Sequence, residues 1–141
     1  MKIKNTITLV LVVIMIGAII GLKLYFKPHA DISRSDAQFN VEATGLMSEF
    51  QKDENAATAK YSEKVLEISG KLVAKSKLPN GINLLVLEDE IQGISCQLDS
   101  IWAAANQPVI TALQTGSKVI VKGVCKGYLM EIKVSPAVVV K

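Results

Sequence analysis

The sequence predicts a mainly β fold: a five-stranded barrel with a helix between its third and fourth strands, preceded by an amphipathic helical segment and a transmembrane helix. Three observations lead there. Residues 5–22 carry no charge, apolar residues from 39 to 50 recur at helical spacing, and beyond residue 61 the apolar period shortens to two.

The first apolar block comes first in the chain. From Ile7 to Leu22 only Thr8 and two glycines interrupt Leu, Val, Ile, Met and Ala, between Lys2 and Lys4 on one side and Lys23 and Lys27 on the other. That is about the length that spans a hydrocarbon core of roughly 30 Å as a helix, and a lone strand in lipid would leave its backbone groups unpaired. Tyr25, Phe26 and Lys27 fit an interfacial anchor just past the span. A cleaved secretory signal would have a shorter core and a small-x-small site. Here Pro28 stands two positions before Ala30, and no cysteine follows the core to take a lipid. The expected layout is a cytoplasmic tail over 1–6, an anchor over 7–26, a juxtamembrane linker with an amphipathic helical segment over 27–61, and the barrel over 62–141. Two lysines on each flank tie the positive-inside count, so the short tail and large C-terminal part favour an extracytoplasmic domain at the inner (plasma) membrane. Gly17 and Gly21 form a small-xxx-small pair that makes a weak case for dimerisation through the anchor.

In the helical segment, Ser35 and Gln38 fit a capping box ahead of Phe39, Ala43, Leu46, Met47 and Phe50, one face of a helix. Asp53 or Asn55 would start a second, shorter helix through Ala56, Ala57 and Ala59. Three basic and six acidic groups between Asp31 and Tyr61 describe a solvated helix packed on the barrel through its apolar stripe.

The strands follow. Leu66, Ile68, Leu72 and Ala74 alternate with polar residues in a first strand near 63–76, where Gly70 suggests a bulge or bend. Leu78-Pro79-Asn80-Gly81 is a turn, Ile82 to Leu87 a second strand, Glu88-Asp89-Glu90 an acidic loop and Gly93 to Leu98 a third strand. Asp99 or Ser100 caps a helix through Trp102 and Ala103 to Gln114, ended by Gly116. A fourth strand runs from Lys118 to Val124, a reversal falls at Lys126-Gly127, and a fifth strand starts at Tyr128. Pro136 makes Ala137 to Val140 a kinked continuation or an edge pairing. Three strands, a helix and two strands, the first strand bent, is the plan of the OB-fold. An SH3-like barrel lacks the helix, and a ferredoxin-like fold needs helices after its first and third strands.

Composition narrows the function. With 141 residues, 15.2 kDa and a mean hydropathy of +0.34, the chain holds one compact domain and an appendage, not a multidomain enzyme. The net charge of +3 belongs to the membrane flanks, since residues 28–141 hold 12 basic against 13 acidic groups. The one histidine, His29, sits in the linker, so no nucleophile has a base, and no metal or other cofactor is implied.

The segments Ala59-Lys60-Tyr61 leading to Leu66-Glu67-Ile68-Ser69-Gly70-Lys71, Ile94-Ser95-Cys96-Gln97-Leu98, and Lys122-Gly123-Val124-Cys125-Lys126-Gly127-Tyr128-Leu129 resemble the tRNA-anticodon-binding-like (tRNA_anti-like) OB-fold family. The resemblance covers roughly residues 46–140. It implies a small bacterial protein, often carrying an N-terminal membrane or lipoprotein signal. A late cysteine common in the last strand is replaced here by Val138 to Val140, which removes a third thiol. The family name reflects fold and does not by itself imply RNA binding.

Cys96 and Cys125 are either a disulfide, worth about 2–4 kcal/mol outside the cytoplasm, or two buried thiols. A weak ligand face is expected at Lys71, Lys75, Asn83, Lys122, Lys126 and Tyr128. The second and third strands, the usual OB surface, contain no Phe, Trp or Tyr, and the barrel's nine basic groups face seven acidic ones. The expected function is a non-catalytic, membrane-anchored binding module for a protein partner or an envelope oligosaccharide. The alternative is a nucleic-acid-binding module tethered to the cytoplasmic face.

Overall fold

The computed structural model describes the backbone of residues 2–25 and 31–140, with side chains over 10–21 and 31–140. It divides into two compact units, Met1–Ala30 and Asp31–Lys141. In the first, α1 spans Lys2–Tyr25, about 36 Å of helix at 1.5 Å per residue. Its described side chains, from Val10 to Gly21, are all exposed, and Gly17 and Gly21 have open space where a Cβ would stand. Among the described residues no helix is long and apolar enough to cross a membrane. The side chains of Tyr25, Phe26 and Lys27, and His29, lie outside the described residues.

The second unit contains β1 (Phe39–Glu42), α2 (Ala43–Lys52), α3 (Glu54–Tyr61), β2 (Val65–Lys77), β3 (Asn83–Leu87), β4 (Ile94–Leu98), α4 (Ser100–Ala105), α5 (Gln107–Ala112), β5 (Lys118–Leu129) and β6 (Glu131–Val139). Strand order is β1-β2-β3-β4-β6-β5, and β5 pairs back onto β2. The ring is thus closed by β2, β3, β4, β6 and β5, with β4 and β6 parallel and the other ring pairs antiparallel. This is the five-stranded barrel that the strand–helix–strand order predicts.

Closure depends on β2 serving two neighbours in turn. Its first half, Val65 to Lys71, pairs with β5, and its second half, Leu72 to Lys77, pairs with β3. The register shift lies between Leu72 and Ala74, just after Gly70. Gly70 has another task, because a Cβ there would stand 2.7 Å from Ala43 Cβ at the start of α2. Inward residues of all five ring strands form one core, among them Leu66, Ile68, Leu85, Leu87, Ile94, Cys96, Val121, Cys125, Ile132 and Val134, each fully buried.

Several sequence expectations are corrected. The helix expected from Ser35 begins eight residues later, because Phe39–Glu42 is a strand, parallel to β2 from Phe39↔Leu66 to Glu42↔Ser69. The Ser35/Gln38 capping box does not form. Gln38 instead stitches the chain to the barrel, its N–H donating to Val65 O at 2.8 Å and its Oε1 accepting from Val65 N at 3.3 Å. Residues Phe39 and Ala43 satisfy period two and period four at once, and the free side of β2 decides for the strand. The stripe itself does pack: Ala43, Leu46 and Phe50 are buried, and Asp53 caps α3 by accepting from Ala56 N at 2.9 Å.

The helix between the third and fourth strands is two helices. Asp99 caps α4 through Trp102 N at 2.8 Å, as expected. Pro108 opens α5, and in one continuous helix its ring would strike the carbonyl of Ala104. The last hairpin also differs. β5 continues through Gly127, whose φ of 112° sits at a bulge, and the chain reverses at Met130, φ 67°. Beyond Pro136 β6 continues, pairing Ala137 with Leu98 and Val139 with Val121.

Candidate functional site

The candidate surface is the outer side of β3 and β4, two strands that β1 does not pair with. Alternation turns Leu85, Leu87, Ile94 and Cys96 inward and leaves Leu84, Val86 and Gln97 half-buried on the outer side, where Ser95, in the same row, is covered and only 4% exposed. The neighbouring strands extend two outward rows, Ser76–Leu84–Gln97 and Ala74–Val86–Ser95–Lys133. Ser135 Oγ donates to Gln97 Oε1 at 3.5 Å. The surface is therefore amide, hydroxyl and aliphatic, with one ammonium at its edge and no aromatic ring.

At one end of this face lies an open groove of about 260 Å³ between β2, β3 and α5, lined by Lys75, Lys77, Asn83, Leu84, Gln107 and Thr111. Lys75 is not free to serve a ligand there. Its Nζ donates to the carbonyls of Thr111 at 3.1 Å and Leu113 at 2.8 Å, with Ile110 O at 3.4 Å, so it caps the C-terminal end of α5. The uncharged run from Ser100 to Ser117 supplies no basic residue for that end. That absence leaves the last carbonyls of α5 open to a cation from elsewhere in the chain.

The structure scatters the other expected ligand residues. Lys122 Nζ donates to Ser33 O at 2.9 Å, and Lys126 pairs with Glu63 at 2.9 Å. Tyr128 stacks on Phe50, ring centroids 5.8 Å apart. Lys71 is exposed at a second cleft, of about 360 Å³, beside Lys118, Glu42 and Glu88. Lys118 lies 3.7 Å from Glu42 there, and Glu88 Oε1 accepts from the backbone N–H of Lys71 at 2.7 Å. Lys75 and Asn83 share the groove beside α5.

The acidic loop folds on itself. Asp89 Oδ1 accepts from Ile91 N and Gln92 N, both at 2.8 Å, and these N–H groups, Gln92 first, lower its pKa. No cluster of metal-ligating side chains occurs among the described residues. Elsewhere Glu49 is held below the usual carboxylate range, first by its hydrogen bond from Lys60 and then by that of Tyr61.

Cys96 and Cys125 are free, and the disulfide alternative is corrected by topology. Both register with Val134, one from each side, so β6 runs between their strands. Two strand spacings of about 4.8 Å exceed the roughly 7 Å over which alpha carbons can be bridged. Burial pushes the Cys96 thiol up to about 12 and raises Cys125 as well. Native protein is therefore expected to resist alkylation, and unreduced protein in denaturant to take up two alkyl groups by mass spectrometry. Uptake of none would restore the bridge.

A closed five-stranded barrel with a parallel β4–β6 pair and helices between β4 and β5 defines the domain as an OB-fold. The chain belongs to the tRNA_anti-like family, whose model matches residues 1–137. Among solved structures, it is similar to a "putative nucleic acid-binding lipoprotein" from Klebsiella pneumoniae, with a TM-score of 0.58 and 18% identity, covering 82% of this chain and 100% of that one. Asparaginyl-tRNA synthetase from Entamoeba histolytica matches over 56% of this chain and 21% of its own, at 13% identity and a TM-score of 0.41. Yeast Stn1 and Ten1 match over 83% and 69%, at 17% identity and a TM-score of 0.43. No curated protein matches the chain.

Proposed function

We propose that this protein is a non-catalytic binding module, anchored in the inner membrane by α1 and holding its barrel outside the cytoplasm for a protein partner or an envelope oligosaccharide. The observation that carries the ligand class is the outward surface of β3 and β4. The half-buried Leu84, Val86 and Gln97 offer aliphatic contact and neutral hydrogen bonding, suited to a peptide or a sugar. Nucleic acid asks for stacking rings and clustered cations, and three of the candidate lysines have ammoniums engaged by Leu113, Ser33 and Glu63. Support for the anchor comes from the whole charge-free run of residues 5–22 and from the length of α1.

The second reading, a nucleic-acid binder on the cytoplasmic face, draws on the printed name of the Klebsiella pneumoniae protein. At 18% identity that likeness speaks for the fold. One pair of measurements separates the two. A periplasm-active reporter fused after Lys141 is expected to be active and a cytoplasm-active one silent. Detergent-solubilised protein is expected to leave a labelled single-stranded oligonucleotide unbound at low salt. Cytoplasmic activity together with salt-sensitive oligonucleotide binding would establish the second reading and overturn the first.

A further inference from the structure

The turn that joins β2 to β3, Leu78-Pro79-Asn80-Gly81-Ile82, holds one pair of residues with a chemistry of its own. Six asparagines occur in the chain, and Asn80 alone precedes a glycine; the others precede Thr, Val, Ala, Leu and Gln. A side chain on the following residue crowds its backbone nitrogen against the asparagine side chain, and glycine has none. Asn80 and Gly81 are both exposed, and a Cβ built on Gly81 would meet nothing within 4 Å, so solvent reaches the pair.

The hydrogen bonds of the turn favour one reaction. Ile82 N donates to Asn80 Oδ1 at 3.3 Å. That N–H stands where negative charge develops when a nucleophile attacks Asn80 Cγ, and a backbone donor in this place stabilises the oxyanion. The nucleophile at hand is Gly81 N, the next atom of the main chain. Its N–H donates to Leu78 O at 2.8 Å, a bond that opens before the nitrogen attacks. At an exposed loop tip such opening costs little.

We propose that Asn80 is a spontaneous modification site, deamidated through a cyclic imide. Gly81 N gives its proton to hydroxide and bonds to Asn80 Cγ. The Cγ–Nδ2 bond then breaks, and the side-chain nitrogen takes a proton from solvent and leaves as ammonia. Water opens the imide on either side. Breaking the new bond to Cγ leaves aspartate; breaking the bond from Gly81 N to the main-chain carbonyl carbon of residue 80 leaves isoaspartate, with the chain running through Cγ. One water enters for each ammonia released, and nothing is oxidised or reduced. Either product puts a carboxylate in the turn between Lys77 and Asn83, which pair in register and line the groove beside α5. The groove's end thus gains negative charge slowly and in one direction, whichever ligand the groove takes.

The test incubates the full chain in detergent in warm, mildly alkaline buffer. Trypsin cuts after Lys77 and Lys118, so a single peptide carries Asn80, Asn83 and Asn106 and supplies its own controls. Fragment mass spectra are expected to show the amide-to-acid shift at residue 80 at least about tenfold faster than at 83 or 106, as a less crowded attack requires. The rate should rise with pH, because hydroxide makes the nucleophile, and an isoaspartyl methyltransferase should label the product. Gly81→Ala should slow the reaction at least about tenfold by restoring the crowding. Alanine is strained at the φ of 84° found there, so Asn80→Gln, which keeps Gly81 and needs a larger ring to cyclise, is the second variant and should keep its amide. Equal conversion at the three asparagines would overturn the proposal. So would native chain that keeps the Asn80 amide while urea-unfolded chain loses it, which means that the bond from Gly81 N to Leu78 O shields the site.

Discussion

Gly93→Ala is expected to cost about 4 kcal/mol, enough to leave the domain largely unfolded at moderate denaturant. A Cβ at this position would stand 2.1 Å from Asp89 O, 2.2 Å from Leu87 O and 2.8 Å from Asp89 N. All three are backbone atoms, so no rotamer change relieves the contact. The β3–β4 loop is wound this tightly because Asp89 N donates to Leu87 O at 2.9 Å while Asp89 Oδ1 takes two further N–H groups. Opening it would displace Ile94 from both Leu87 and Ile132. Urea unfolding of the full chain in detergent should place the midpoint about 2 M lower, with an m-value near 2 kcal/mol/M. Gly45→Ala is the control, since nothing lies within 4 Å of its would-be Cβ inside α2. It should stabilise by about 0.5–1 kcal/mol through helix propensity. Equal midpoints for the two variants would refute the steric account of the loop.

Phe50→Ala is expected to destabilise by about 3–4 kcal/mol. Phe50 is 1% exposed on α2, stacks on Tyr128 of β5 at 5.8 Å and meets Tyr61 at 6.2 Å, which in turn meets Phe39 at 5.2 Å. These four rings come from β1, α2, α3 and β5, so one truncation opens a cavity where the helical segment joins the barrel. A double-mutant cycle with Tyr128→Leu should return a coupling of about 0.5–1.5 kcal/mol. Additivity within error would mean that the two rings are mere neighbours. A small loss for Phe50→Ala itself, near that of an exposed residue, would mean that residues 43–61 are not integral to the fold.

Much of the barrel was legible from local pattern. Alternation in Leu66 to Ala74 reports a strand because a strand's two faces meet different surroundings, and the short apolar runs of Ile82 to Leu87 and Lys118 to Val124, bounded by turn residues, report two more. Caps at Asp53 and Asp99 were equally readable, since a carboxylate two or three residues before a helical N–H acts within its own turn. Where two local patterns coincided, reading failed. Phe39-Asn40-Val41-Glu42 alternates like a strand and also begins a helical stripe, and nothing near it in sequence says that β2 has a vacant edge. The turn at Met130 was missed for a related reason: Gly127 is the residue expected at a reversal, yet its positive φ serves a bulge.

The candidate site was less legible than the fold. Six residues were selected by type, and a lysine's type does not say where its ammonium ends. Lys75 runs to the end of α5, 35 to 38 residues away in sequence, and Lys122 to Ser33, 89 residues away. What could be read was negative and local, namely that β3 and β4 contain no aromatic residue.

By itself the sequence determined the charge-free run of residues 5–22, the five strand periods, the interposed helical stretch and the family, because apolar periodicity and capping act over a few residues. Only the tertiary structure decided that β2 divides its length between β5 and β3, that β1 joins it in parallel, and that β6 separates Cys96 from Cys125. Each of these depends on partners distant in the chain, chosen when closing the barrel buries the inward faces of all its strands at once.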